Sequence, residues 1–181
     1  MTVNIAARIL RWTGWTLHVD APDYPRCIIC VAPHTSNWDF IIGKLAYAAT
    51  GRKAGFLMKK SWFFWPLGYF FRAIGGIPVP PRGSGGDLVQ TLIDRFNSCS
   101  RLTLAITPEG TRSRNEHWRT GFLRIAHGAG IPIVLGAIDF RTRSIYLDKT
   151  FTPSGDIEAD MRAIKQYYRP FTGKYPDKFA L

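Results

Sequence analysis

Six apolar residues, Cys27-Ile-Ile-Cys-Val-Ala32, run straight into Pro33 and then into the polar segment His34-Thr-Ser-Asn-Trp-Asp39. The run reads as a buried strand, and Pro33, with no amide hydrogen to offer, ends it. Ser36 and Asn37 are good N-caps for a helix that follows. The spacing of His34 and Asp39 adds a geometric condition. On one regular helix a five-residue offset turns the two side chains roughly 140° apart. They meet only if the chain bends between them, with His34 on the strand-to-helix turn and Asp39 inside the helix. An imidazole exchanges a proton near neutral pH, and a carboxylate beside it holds its tautomer.

The rest of the chain repeats the alternation of strand and helix. Residues 3–17 suggest a first helix, with Ile5, Ile9, Leu10, Trp12 and Trp15 crowding one broad side. A helix from about 38 to 49 follows the first strand. Then come a short strand at 55–58, an aromatic segment at 61–72 that is helical or irregular, and an extended stretch at 76–79. Residues 80–86 read as a flexible Pro- and Gly-rich loop. Helices are expected at 87–97, 121–129 and 156–168, and strands at 102–107, 131–138 and 144–147. The expected fold class is α/β: a single domain over residues 1–181, a largely parallel sheet flanked by helices. In such sheets, ligands bind beyond the carboxyl ends of the strands. His34, Arg82 and Glu109 each follow a strand, so three separate polar segments are expected at one sheet edge.

Composition narrows the partners. Lys and Arg number 24 against 13 Asp and Glu, for a net charge of +11. Such a chain is drawn to polyanions: nucleic acid, anionic lipid, or phosphorylated substrates. The basic residues are scattered rather than clustered with aromatics, so no nucleic acid partner is expected. No apolar stretch reaches the roughly 18 residues that a spanning helix needs. The N-terminus lacks the pattern of a secretory signal, which points to a cytoplasmic protein. Cys27 and Cys30 have the spacing of a redox or metal pair, but positions three apart on a strand point to opposite faces, so both read as small core residues. His18, His117 and His127 have no partner pattern, and Trp118 and Phe122 read as core.

A second polar cluster, Thr107-Pro-Glu-Gly-Thr-Arg-Ser113, leaves its strand with a carboxylate, a glycine that permits a sharp turn, a hydroxyl and a guanidinium. Arg112 offers a planar fork suited to phosphate. The two clusters together resemble the glycerolipid acyltransferase family, the enzymes that acylate lysophosphatidic acid and related lysolipids. Pro33 to Asp39 matches its first block, Pro108 to Ser113 its third, and Ile131-Pro-Ile-Val134 the start of its fourth, where Leu135 stands in place of the usual proline. The second block departs from the pattern: Gly75-Gly-Ile-Pro-Val-Pro-Pro-Arg82 has no aspartate, and its arginine is displaced by one position. Lys59 and Lys60 resemble the family's basic residue ahead of that block. The resemblance spans residues 27–140 and continues loosely to the C-terminus.

The resemblance implies a glycerol-3-phosphate acyltransferase-like fold and transfer of a fatty acyl group from a thioester to a hydroxyl. His34 would be the general base and Asp39 its orienting partner. Glu109, Gly110, Thr111, Arg112, Arg82 and Lys60 would bind the acceptor, with Arg112 on its phosphate. Backbone N–H groups at the start of the following helix are candidates for the oxyanion. No metal and no cofactor is implied; acyl-CoA or acyl carrier protein would be the donor. The acceptor would be a lysophospholipid, first of all 1-acylglycerol-3-phosphate. Residues 1–20 and the aromatic segment at 62–71 are candidates for an interfacial surface held on an anionic membrane at the inner face of the cell membrane; the aromatic segment reads equally as core. An amino-acid-headed or other lysolipid as acceptor, a thioesterase-like hydrolysis and a non-catalytic basic lipid-binding module remain alternatives.

Overall fold

The computed structural model describes residues 4–79 and 87–181. Its strands are β1 (Thr16–Val19), β2 (Arg26–Ala32), β3 (Gly55–Lys59), β4 (Gly76–Val79), β5 (Leu102–Ile106), β6 (Ile133–Asp139) and β7 (Ser144–Phe151). They form one sheet in the order β1-β7-β6-β2-β5-β3-β4. Every pairing is parallel except β6 with β7. The helices are α1 (Ile5–Trp12), α2 (Asn37–Ala49), α3 (Leu67–Ala73), α4 (Leu88–Ser98), α5 (Gly121–Gly128) and α6 (Ile157–Tyr168). The α/β class, with a mostly parallel sheet flanked by helices, is the one read from the sequence.

The central position of β2 explains its unbroken apolar run. Ile28, Cys30 and Ala32 enter the larger core with Leu92 and Phe96 of α4, Phe122 and Leu123 of α5, and Ile164 and Tyr168 of α6. Cys27 and Ile29 pack in a separate cluster with Val134 and Leu147. Both faces of the strand are covered from Cys27 to Cys30, which accounts for the continuous apolar run there. The two cysteines lie in different clusters, as the strand period requires. Burial pushes the Cys30 thiol up to about 12, which leaves it a small apolar side chain rather than a nucleophile.

Two boundaries differ substantially from the sequence reading. The N-terminal helix stops at Trp12 instead of reaching residue 17, and residues 16–19 form β1 beside β7. Thr13 caps the helix by donating its hydroxyl to the Ile9 carbonyl, and Gly14, at φ +78°, turns the chain. Trp15 and Leu17 then pack with Ile138 and Ile145. Their apolar character fits either a helix or a strand, and pairing with a strand distant in the chain decides for the strand. The second difference is β7, which continues past Leu147 to Phe151 and pairs with the full length of β6.

After α6 the chain returns across the carboxyl end of the sheet. Thr172 N–H donates to Asp139 Oδ1, and the Thr172 carbonyl accepts from Phe140 N–H. Trp118, buried, donates its indole N–H to the Ala180 carbonyl. Among the described residues, no helix is long and apolar enough to cross a membrane.

Phe96 has no exposed surface and joins α4 to the larger core. Phe96→Ala is expected to lower stability by about 3–5 kcal/mol, read as a fall in the urea midpoint with an unchanged slope.

Candidate active site

Ser36 is the N-cap of α2 and Asp39 stands at its third helical position, so one turn of chain brings the aspartate back over the strand end. Asp39 Oδ2 accepts from Thr35 N–H and Ser36 N–H, each at 2.7 Å, while Oδ1 accepts from the Ser36 hydroxyl at 2.8 Å. His34 Nδ1 lies 3.3 Å from the same Oδ2. The bend that the five-residue spacing demands is thus built by the capping interactions of the helix. The side chain of His34 is 17% exposed and that of Asp39 only 2%. The carboxylate is sealed and the imidazole is reachable. With Nδ1–H turned to Asp39, Nε2 is the nitrogen left to accept a proton.

Glu109 approaches from the end of β5. Its Oε1 accepts from His34 N–H at 3.0 Å, which ties the third polar segment to the first. Glu109 is 4% exposed, and its Oε2 is buried without a hydrogen-bond partner. Loss of water around the carboxyl pushes its pKa up to about 7; the His34 backbone N–H and positive charge on His34 oppose this, and the charge of Asp39 adds to it. Asn115 braces the loop behind it by donating its amide to the Glu109 carbonyl at 2.7 Å.

Gly110 adopts φ +66° and lies so close to Arg119 that a Cβ would meet its Cγ at 3.1 Å. The left-handed backbone favours glycine here, and any side chain would crowd Arg119. Thr111 and Arg112 are exposed beyond the turn, and the Thr111 hydroxyl accepts from Ser113 N–H. Lys60 is exposed in a short 3₁₀ turn past the carboxyl end of β3, two strands from β2. Among the described residues, no hydrogen bond or ion pair joins it to His34, Asp39 or Glu109. Arg82 and its loop lie outside the described residues.

A model of acyltransferase domains, described as Acyltransferase, matches residues 20–138. The chain belongs to the Acyltransferase family. No curated protein matches this acyltransferase. Among solved structures, it is similar to the 1-acyl-sn-glycerophosphate (LPA) acyltransferase PlsC from Thermotoga maritima, with a TM-score of 0.61 and 17% identity. The match covers 91% of this chain and 76% of that one. At that identity the likeness is one of fold.

Two features of the site differ from the sequence reading. The N–H groups of Thr35 and Ser36, just ahead of the first helical residue Asn37, are both spent on Asp39. The C-terminal segment also reaches the site, since Tyr175 N–H donates to the Thr35 hydroxyl at 3.2 Å. Its Gly, Pro and Lys residues carry no helical or strand period, so only their turn-forming character was legible.

Glu109 makes a pH-dependent contribution to the stability of this acyltransferase. Between the ordinary carboxylate range and about 7, the folded chain holds a proton that the unfolded chain has lost, so stability falls as pH rises. Glu109→Gln is expected to remove this decline, with urea midpoints of wild type and variant diverging between pH 5 and pH 8 in the variant's favour, whatever their constant offset.

Proposed function

We propose that this acyltransferase moves a fatty acyl group from an acyl thioester, carried by coenzyme A or acyl carrier protein, to the hydroxyl of a lysophospholipid. The first choice of acceptor is 1-acylglycerol-3-phosphate, in phospholipid biosynthesis. The observation that carries this reading is a reachable imidazole held against a sealed carboxylate at the carboxyl edge of the sheet. The lysophosphatidic acid acyltransferase activity for which PlsC is named supports the choice of acceptor.

In this reading His34 Nε2 takes the proton of the acceptor hydroxyl as its oxygen attacks the thioester carbonyl carbon. Asp39 stabilises the imidazolium that forms. The C–S bond then breaks, the ester is released, and the leaving thiolate takes the proton back from His34. General-base assistance of this kind is worth about 10²–10⁴ in rate. Glu109 acts through the backbone of His34 in this arrangement rather than on the acceptor directly. Arg112, exposed beside it, is suited to a phosphate as a planar fork.

The substrates are lipids, and the exposed apolar surface supports a place on a membrane. Trp12 is 88% exposed and Trp65 79%, and Ile5, Trp62, Phe64, Tyr69 and Phe70 are exposed with them. In α1 only Leu10 is buried, so most of that helix faces away from the core. An apolar surface of this kind, on a chain of net charge +11, suits peripheral attachment to the anionic inner face of the cell membrane.

His34→Ala is expected to lower transfer of a labelled acyl group to lysophosphatidic acid by at least about 10², with an unchanged melting temperature. Wild-type transfer rates in that variant would end the reading, and a preference for a phosphate-free acceptor would move it to another lysolipid. For the membrane, the double variant Trp12→Asp/Trp65→Asp is expected to bind vesicles containing phosphatidylglycerol at least about tenfold more weakly in a sedimentation assay.

A further inference from the structure

The segment Phe171-Thr-Gly-Lys-Tyr-Pro-Asp-Lys178 lies outside the residues matched by the family model, yet it is strapped onto the turn that holds His34. Gly173 is seated so closely that a Cβ there would come within 2.8 Å of Thr35 Cγ2 and 3.1 Å of Pro33 Cβ. Two residues on, Tyr175 N–H donates to the hydroxyl of Thr35, which is 2% exposed. These contacts pin the strap on both sides of Lys174. The register of its side chain is therefore set by the same turn that carries His34.

Lys174 Nζ lies 5.0 Å from the ring centroid of Trp38, inside the His34–Asp39 segment, and 6.0 Å from that of Tyr175. Lys178 Nζ lies 4.6 Å from the Tyr175 ring. Trp38 and Tyr175 are both substantially exposed, Lys178 is exposed, and Lys174 is half-buried between the two rings. Among the described residues, neither lysine pairs with a carboxylate. The exposed Asp177 on the same strap forms no ion pair with either, and Asp39 is buried beneath its own hydrogen bonds. An ammonium resting on an aromatic face is oriented by it and keeps hydrogens for an outside acceptor.

We infer that Lys174, with Lys178 beside it, binds a phosphate group of a substrate at the mouth of the active site. A lysine is a point-charge phosphate ligand, and the strap holds this one over Trp38, four residues along the chain from His34. The inference rests on the acyl-transfer reading for its substrates. The phosphate is that of the lysolipid headgroup or that of a coenzyme A donor, and the two sources are separable by experiment.

The test compares wild type with Lys174→Met, which keeps an apolar stem on Trp38, and with Lys174→Arg, which keeps the charge. Calorimetric binding is measured for coenzyme A, 1-oleoyl lysophosphatidic acid and the phosphate-free 1-monooleoylglycerol, together with kcat and KM for transfer. Lys174→Met is expected to weaken binding of one phosphate ligand, and to raise its KM, by about tenfold, with kcat and the binding of monooleoylglycerol little changed. Lys174→Arg is expected to restore most of the affinity. Loss with coenzyme A assigns the donor, and loss with lysophosphatidic acid assigns the acceptor. Unchanged affinity for both phosphate ligands, or equal loss with monooleoylglycerol, would overturn the inference. If wild type transfers no acyl group while Lys174→Met still weakens binding of a phosphate ligand, the acyl-transfer reading fails and the phosphate site stands.

Discussion

The carboxylate of Asp39 does two jobs with the same two oxygens. It collects the N–H groups of Thr35 and Ser36 and the Ser36 hydroxyl, so it closes the first turn of α2. It also stands 3.3 Å from His34 Nδ1 and so faces the imidazole with a fixed negative charge. Helix capping is a local, sequence-near interaction worth about 1 kcal/mol. Here the same capping turn orients a histidine, so the imidazole–carboxylate pair is specified by interactions among neighbouring residues.

Glu109 comes from a different part of the chain and shows the other kind of dependence. Its contact with His34 N–H exists only because β5 lies next to β2 in the sheet. The same burial that makes this contact selective raises the carboxyl to about 7 and leaves Oε2 without a partner. In the fold, one oxygen of this carboxylate braces the backbone of the histidine, a contact that the sequence pattern did not announce. The strap at residues 171–178 is a third layer of support. It reaches Thr35 by way of α6, which turns the chain back toward the end of β2.

Much of the fold was legible because most elements carry their own signal. The strand β2 reads from its apolar run, α4 from its helical spacing, and the turn at Gly110 from glycine between polar residues. What was not legible shares one cause. Trp15 and Leu17 fit a helix or a strand equally well, and β7, from another part of the chain, decides. The last half of β7 alternates weakly, and its pairing with β6 extends it. In the site, the pairing of His34 with Asp39 was readable from spacing and caps. The commitment of Thr35 N–H and Ser36 N–H to Asp39 was not, since spacing does not say which acceptor a donor chooses.

Local order in the chain settled the α/β class, the bend that joins an imidazole to a carboxylate, and the family. These rest on interactions among neighbouring residues: strand runs, helix caps and a glycine turn. Tertiary contacts alone settled which residues stand around that pair. Strand order placed Glu109 under His34, and the returning C-terminus placed Lys174 on Trp38. Contacts between residues far apart in sequence depend on how the chain closes on itself, and no local pattern encodes the closure.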